Sequence, residues 1–244
     1  MKLSYGNQEI DLFDKKIPSQ VLLALSGGLD SASLFYLICN NFPEIEIIPY
    51  TGWDKTAPFD YLCAKDIIQF MKEKFPKQKI LEHEVFEFDI NDKEWRNLAK
   101  EKWEEEKVII DGKKVERASS ISGLTKILMK RHFENELRKK WNNALMITGM
   151  TCNPPIEEQR KNNFYELAER RRDTRNQMPW FKTIYQPYIN IDKKFVANVY
   201  KEHELMDTLY PLTSSCVGSE EETNYFSKPC GKCFWCKEKE WAFK

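Results

Sequence analysis

The sequence predicts an α/β protein: a Rossmann-like parallel sheet with helices on both faces, followed by a small cysteine-rich segment. Three observations predict it. Short apolar runs of strand length recur along the chain, separated by longer amphipathic or charged stretches. The first core run, Val21-Leu22-Leu23-Ala24-Leu25, stops abruptly at Ser26-Gly27-Gly28-Leu29-Asp30-Ser31, where strand should turn into helix. Four of the seven cysteines crowd the end of the chain, at positions 216, 230, 233 and 236.

The length of 244 residues suits one full α/β domain with a small appendage. We divide it into an edge hairpin at 1–18, a main α/β domain at 19–208 and a Cys₄ segment at 209–244 packed on that domain. Lys and Arg together number 38, as do Asp and Glu, so the net formal charge is zero and leaves no overall footprint for nucleic acid. No apolar run approaches the roughly 18 residues of a membrane span, and the first residues lack the apolar core of a signal peptide. A cytoplasmic protein with no membrane partner is expected.

In chain order, two alternating runs around Gly6-Asn7 suggest a hairpin over residues 2–13. Residues 21–25 form the first core strand and 29–41 the first helix. Residues 45–50 form the second strand, ending in Tyr50-Thr51-Gly52-Trp53-Asp54. This end should lie beside the first loop, where Tyr50 and Thr51 would cradle an adenine or a substrate, or simply make a turn with an aromatic lid. A helix at 58–75, a strand at 79–89 containing His83, and a charged helix at 93–107 follow. His83 reads as a surface residue. Asp111-Gly112 favours a tight hairpin over 108–115. A helix at 122–141 carries a basic face, Lys126, Lys130, Arg131, Arg138, Lys139 and Lys140, read as solvated or as a phosphate- or tRNA-binding surface. The fourth core strand, 144–148, ends in Thr148-Gly149-Met150-Thr151 at the same edge. A helix over 156–176 includes Arg170-Arg171-Arg172. A short strand at 182–186 precedes a helix at 193–204 with Asp192 as its N-cap.

The loop after the first strand has the chemistry of a phosphate cradle. Gly27 and Gly28 let backbone N–H groups approach a ligand, Ser26 and Ser31 add hydroxyls, and the following helix presents its positive end. Asp30 is repulsive to phosphate unless a cation intervenes, which makes it a candidate Mg²⁺ ligand. The alternative is a capped turn without a ligand. At the chain end, Cys216, Cys230, Cys233 and Cys236 form a double Cys-x-x-Cys clip closed by a distant fourth thiol. Four thiolates suit a structural Zn²⁺ and can also hold an iron–sulfur cluster. Cys152, after a strand end, is the only candidate nucleophile and reads better as a buried thiol.

Ser26 to Ser31 resembles the Ser-Gly-Gly-x-Asp-Ser loop of the PP-loop N-type ATP pyrophosphatases, whose fold is the adenine nucleotide alpha hydrolase-like type. The Thr213-Ser214-Ser215-Cys216 segment, the Pro229-Cys230-Gly231-Lys232-Cys233-Phe234-Trp235-Cys236 clip and the terminal Ala242-Phe243 narrow this to the 7-cyano-7-deazaguanine synthases. The stretch from Gln186-Pro187 to Lys193 is similar to that family's Pro-Leu element and its lysine.

The resemblance implies an ATP-dependent carbon–nitrogen ligase of 7-deazaguanine and queuosine biosynthesis. ATP adenylates 7-carboxy-7-deazaguanine, pyrophosphate leaves, ammonia gives an amide, and a second activation gives the nitrile. It implies catalytic roles for Ser26, Asp30, Ser31 and Lys193. It implies ATP contacts from Leu25, Ser26, Gly27, Gly28, Leu29, Asp30, Ser31, Tyr50, Thr51 and Gly149. Zinc would sit on Cys216, Cys230, Cys233 and Cys236, Mg²⁺ would accompany ATP, and the chain would be a homodimer with small-molecule substrates, not nucleic acid. The middle of the chain departs from the family at Tyr50–Asp54, at Glu116-Arg117-Ala118-Ser119-Ser120 and at Cys152-Asn153-Pro154-Pro155. The Cys216–Cys230 spacing is also longer. Another carboxylate, a tRNA base, or a non-catalytic nucleotide-binding role are the competing readings.

Overall fold

Hydrophobic alternation along the first core strand sorts the molecule into layers. Val21 and Leu23 enter one apolar cluster and Leu22 enters another, as expected where a strand is covered on both faces. The computed structural model describes residues 1–13, 16–54, 59–104, 108–110, 113–115, 120–164 and 184–244.

Lys2–Tyr5 (β1) and Gln8–Asp11 (β2) pair antiparallel, with Gly6 at φ +61° in the turn between them. Gln20–Ala24 (β3) leads to Leu29–Asn41 (α1), Glu46–Asp54 (β4), Phe59–Lys74 (α2), Glu84–Phe88 (β5) and Lys93–Lys102 (α3). A small hairpin, Val108–Ile110 (β6) with Lys113–Val115 (β7), precedes Ile121–Lys140 (α4). Then come Leu145–Thr148 (β8), Ile156–Lys161 (α5), Ile184–Tyr185 (β9), Lys193–Glu202 (α6), a 3₁₀ turn at Tyr210–Leu212 and Phe234–Phe243 (α7).

The main sheet has the order β5-β4-β3-β8-β9 with every pairing parallel. From β3 the chain steps outward through β4 to β5, then returns to the other side of β3 with β8. The order therefore reverses between β3 and β8, and a crevice opens there beyond the carboxyl ends of the strands. One face of the sheet is covered by α1, α2 and α6 residues, including Leu34, Phe35, Ile38, Ile67, Phe195 and Val199. Phe133 and Leu137 of α4 cover the other, against Leu22, Ile48, Tyr50, Met146 and Ile184. The edge hairpin docks on α6. Gln8 Nε2 donates to Asp192 Oδ1, and Asp192 N–H donates back to Gln8 Oε1, both at 2.8 Å. Asp192 also caps α6 by accepting from Lys194 N–H.

Three elements differ from expectation. β4 continues through Asp54 because β5 pairs with its last five residues, Tyr50 to Asp54. β5 begins only at Glu84, while Ile80 makes a single bridge to Ile47. α5 stops at Lys161, where Asn162 caps it and Asn163 turns to φ +50°. The arginine run 170–172 and the stretch 116–119 lie outside the described residues. No helix among the described residues is long and apolar enough to cross a membrane.

Candidate functional site

The loop from Leu25 to Ser31 sits at the reversal in strand order and is tied down by its own backbone. Leu25 N–H donates to Tyr50 O at 2.8 Å, which holds the end of β3 against β4. Gly27 adopts φ +70°, and a Cβ there would stand 2.7 Å from Cys63 Cβ and 2.9 Å from Asp60 O. Only glycine meets both demands without strain. Ser26 and Ser31 hydroxyls lie 3.3 Å apart, and Ser31 Oγ donates to Gly28 O at 3.1 Å. Gly28 is the N-cap of α1 and supplies no side-chain cap, so the first N–H groups of the helix stay open to an anion. Gly149, just past β8, closes the other wall. A Cβ there would lie 2.6 Å from Asp30 O, so β8 and the first turn of α1 touch backbone to backbone.

Asp30 opens a chain of charges running away from this crevice. Its Oδ2 accepts from Lys193 Nζ at 3.0 Å and from Thr151 Oγ1 at 3.3 Å. Lys193 Nζ lies 3.0 Å from Glu238 Oε2 on its other side. Lys193 and Glu238 are both buried. Burial works against the ammonium, but the Asp30 and Glu238 carboxylates outweigh it and hold Lys193 above the usual lysine range. Asp30 Oδ1 is buried with no partner among the described residues. A bare carboxylate oxygen beside open helix N–H groups suits a divalent cation shared with phosphate, so the residues present fit Mg²⁺.

The second strand contributes less than its sequence suggested. Tyr50 is enclosed among Phe133 and Leu137 on the α4 side, its hydroxyl donates to Glu134 at 3.2 Å, and its carbonyl is taken by Leu25. It offers the crevice no free polar group. Thr51 does reach the loop: its hydroxyl donates to Leu25 O at 2.6 Å and accepts from His83 Nε2 at 2.8 Å. His83 is therefore a partly buried, neutral partner, not a surface residue. Burial brings it down to about 4. Tyr61 stacks between His83 and Trp53, with ring centroids 6.1 and 4.8 Å apart. Cys152 is fully buried beside Ile191, consistent with a structural thiol.

The C-terminal segment closes on the loop. Ser214 N–H donates to Gly27 O at 2.9 Å, and Ser215 Oγ lies 3.2 Å from where a Gly28 Cβ would stand. Lys239 follows Glu238 on α7 and donates to Thr213 O at 3.4 Å. Burial lowers it to about 8. Burial also pushes the Cys63 thiol, against Gly27, up to about 11. Thr151 lies at the ligand edge, as expected of the strand end that carries it, whereas Glu238, Lys239 and Ser215 were not expected at the site. Glu238 and Lys239 belong to an alternating run, Lys237-Glu238-Lys239-Glu240, that reads as a solvated surface.

The four terminal cysteines converge. Their sulfurs all lie within 4.8 Å of one another, and no other such group of ligating side chains occurs among the described residues. Backbone N–H groups of Gly218 and Cys230 point at Cys216 Sγ at 3.3 and 3.2 Å, and Cys233 N–H points at Cys230 Sγ at 3.4 Å. Burial opposes ionisation of Cys230, but the Lys232 and Cys233 N–H groups bring it down to about 7. A set of four thiols with N–H donors behind them can bind metal.

The sequence matches no protein-family model and no curated protein. Among solved structures the chain is similar to the U34-tRNA thiolase NcsA from Methanococcus maripaludis, determined with its 4Fe-4S cluster. The two share 14% identity over 93% of this chain and 65% of that one, with a TM-score of 0.46. It is also similar to the glutamine-dependent NAD⁺ synthetase from Acinetobacter baumannii in complex with ADP, at 11% identity over 81% of this chain and 32% of that one, with a TM-score of 0.46. The chain thus spans under two thirds of the first and about a third of the second.

Proposed function

We propose that this chain is an ATP-dependent adenylating ligase that cleaves ATP between its α and β phosphates and places AMP on a carboxylate oxygen. One observation carries the reading: Asp30 stands in the first turn of α1, one oxygen fixed by Lys193 and the other unpartnered, beside a loop of open N–H groups. That is a site for phosphate together with a cation. The backbone of Leu25 to Leu29 and the Ser26 and Ser31 hydroxyls would orient the triphosphate. Mg²⁺, held through Asp30, would offset charge as pyrophosphate leaves. Lys193 would fix the Asp30 carboxylate, and Thr51 and Gly149 would form the walls on either side. Tyr50 is not retained as a nucleotide contact.

The acceptor we propose is 7-carboxy-7-deazaguanine, with ammonia as the nitrogen source. A carboxylate oxygen attacks the α phosphorus and pyrophosphate departs. Ammonia then attacks the acyl carbon and AMP departs, leaving the amide. The amide oxygen is adenylated in turn, and loss of AMP and protons yields the nitrile. The C-terminal clip, whose resemblance points to this acceptor, also seats Ser214 directly on Gly27. A zinc ion on Cys216, Cys230, Cys233 and Cys236 would anchor α7. One ion fits the sulfur spacing, since a tetrahedron with Zn–S near 2.3 Å needs sulfurs about 3.8 Å apart, whereas a multi-iron cluster spreads its thiolates further. The homodimer belongs to the same proposal.

A small-molecule acceptor also agrees with the basic face of α4. Lys126 faces Asp54 at 3.9 Å, Lys130 faces Glu134 at 3.8 Å, Lys139 faces Glu136 at 2.7 Å and Lys140 faces Glu84 at 2.6 Å. Charges so paired make a weak nucleic-acid surface.

The test is product analysis by mass spectrometry from ATP, Mg²⁺, ammonium and 7-carboxy-7-deazaguanine. The nitrile should appear with AMP and pyrophosphate formed in step. ADP and phosphate would refute the cleavage site. AMP formation indifferent to the deazaguanine acid would refute the acceptor.

A further inference from the structure

We propose that Lys239 and Ser215 form a second phosphate-binding pair at the loop, holding the terminal phosphates of ATP and then the departing pyrophosphate. This rests on the ATP reading above and adds a binding role for residues of the cysteine-rich segment.

Several lysines of the last two helices and the cysteine-rich segment face carboxylates. Lys193 has Asp30 and Glu238, Lys232 has Glu222 at 2.7 Å, and Lys237 and Lys244 share Glu240 at 3.5 and 2.9 Å. Lys239 has no ion pair among the described residues. Its ammonium touches a carbonyl, Thr213 O, at 3.4 Å and lies 4.0 Å above the centre of the Tyr210 ring. Both contacts fix the position of a cation without neutralising it. Its neighbour Glu238 is turned toward Lys193, so no carboxylate among the described residues faces Lys239, and the groups that favour its charge are the Cys236 and Cys63 thiols. A half-buried ammonium with no carboxylate against it gains from an anion that joins it.

The position says which anion. Thr213, the acceptor for Lys239, directly precedes Ser214, which is bonded to Gly27 O. Cys63, whose thiol feels the Lys239 charge, would touch any Cβ on Gly27. Lys239 therefore stands on the α2 side of the phosphate loop. Ser215 Oγ, beside Gly28, has no hydrogen-bond partner among the described residues and supplies a free hydroxyl on the same side. Lys193 and Asp30 stand on the β8 side, next to Gly149 and Thr151. A triphosphate laid along the loop would thus meet the Asp30–Lys193 pair at the end near the crevice. It would meet Lys239 and Ser215 at the other, where pyrophosphate must leave.

The experiment is calorimetric titration of the zinc-loaded protein with inorganic pyrophosphate, ATP and AMP, each with Mg²⁺. Lys239→Met keeps the stem and removes the charge. It should weaken pyrophosphate and ATP binding by about ten- to a hundredfold while AMP changes less than about twofold. Lys239→Arg should restore most of the loss. Ser215→Ala should weaken pyrophosphate by about three- to tenfold and leave AMP unchanged. Pyrophosphate binding unchanged in folded Lys239→Met, or an equal loss for AMP, would overturn the proposal. Should Lys239→Met fail to fold, Ser215→Ala decides, and unchanged pyrophosphate binding there overturns it. A wild-type protein that binds neither ATP nor pyrophosphate would overturn the ATP reading, and this inference with it.

Discussion

The Leu25–Ser31 loop and the C-terminal segment that carries the cysteine clip meet where Ser214 N–H donates to Gly27 O, yet the loop and the clip are held in opposite ways. The loop is fixed by neighbours on every side: β4 through Leu25, α2 through Cys63 and Asp60, β8 through Gly149. Its geometry is backbone geometry and follows from the sheet. The clip rests on four sulfurs and a few N–H···S contacts, in a segment containing three consecutive non-glycine residues at positive φ, Asn224, Tyr225 and Phe226. A metal bound by the four thiols would order such a segment. The two regions are joined by α7, which carries Glu238 to Lys193 and so to Asp30. Damage should therefore travel from clip to loop through α7, and much less in the other direction.

The largest effect should come from the loop. Asp30→Ala removes the proposed cation ligand and should lower ATP turnover by at least about a thousandfold. Zinc content and melting temperature should change little, because Lys193 keeps Glu238. A mutant that lost its metal as well would break the one-way comparison.

Next comes metal removal. Chelation, or Cys230→Ser, should release one zinc per chain and lower turnover by about ten- to a hundredfold as α7 loosens. Hydrogen exchange should rise in Phe234–Phe243 while Leu29–Asn41 stays protected. Metal analysis that finds iron with visible absorbance would contradict the zinc assignment.

Glu238→Gln sharpens the link itself. Removing one partner of a buried ion pair is costly, but Lys193 retains Asp30. Turnover should fall by roughly tenfold, with the Mg²⁺ requirement raised and the zinc retained. An unchanged Mg²⁺ dependence would mean that α7 does not tune Asp30.

The smallest effect concerns pH. His83 is neutral in the fold with its value lowered to about 4, below its ordinary 6.5. The unfolded chain then binds the extra proton between those values. The stability from this group is complete above about pH 6.5 and is lost as pH falls toward 4. Melting temperature should drop across that window, and His83→Gln should flatten the drop.

Local pattern foretold the loop and α1 because both are local. Apolar Val21–Leu25 must be a buried strand, Gly27-Gly28 must break it, and the helix then runs from Leu29 to Asn41 as expected. The length of β4 was not legible, since it depends on β5 pairing with residues far along the chain. For the same reason Tyr50, expected at the ligand edge, lies inside the sheet against Phe133. The Asp30–Lys193–Glu238 chain joins three elements separated by most of the sequence, and only Asp30 and Lys193 carried a local or family signal. Glu238 and Lys239 look alike in a charged run. The fold buries one as a counter-ion and sets the other against a carbonyl and an aromatic ring with no carboxylate partner among the described residues.

The most direct measurement is transfer of a heavy-oxygen label. 7-Carboxy-7-deazaguanine labelled in its carboxylate is incubated with the protein, ATP, Mg²⁺ and ammonium, and AMP is recovered for mass spectrometry. Adenylation of the carboxylate predicts that AMP carries one labelled oxygen and pyrophosphate carries none. Unlabelled AMP, or label in phosphate alongside ADP, would contradict the account.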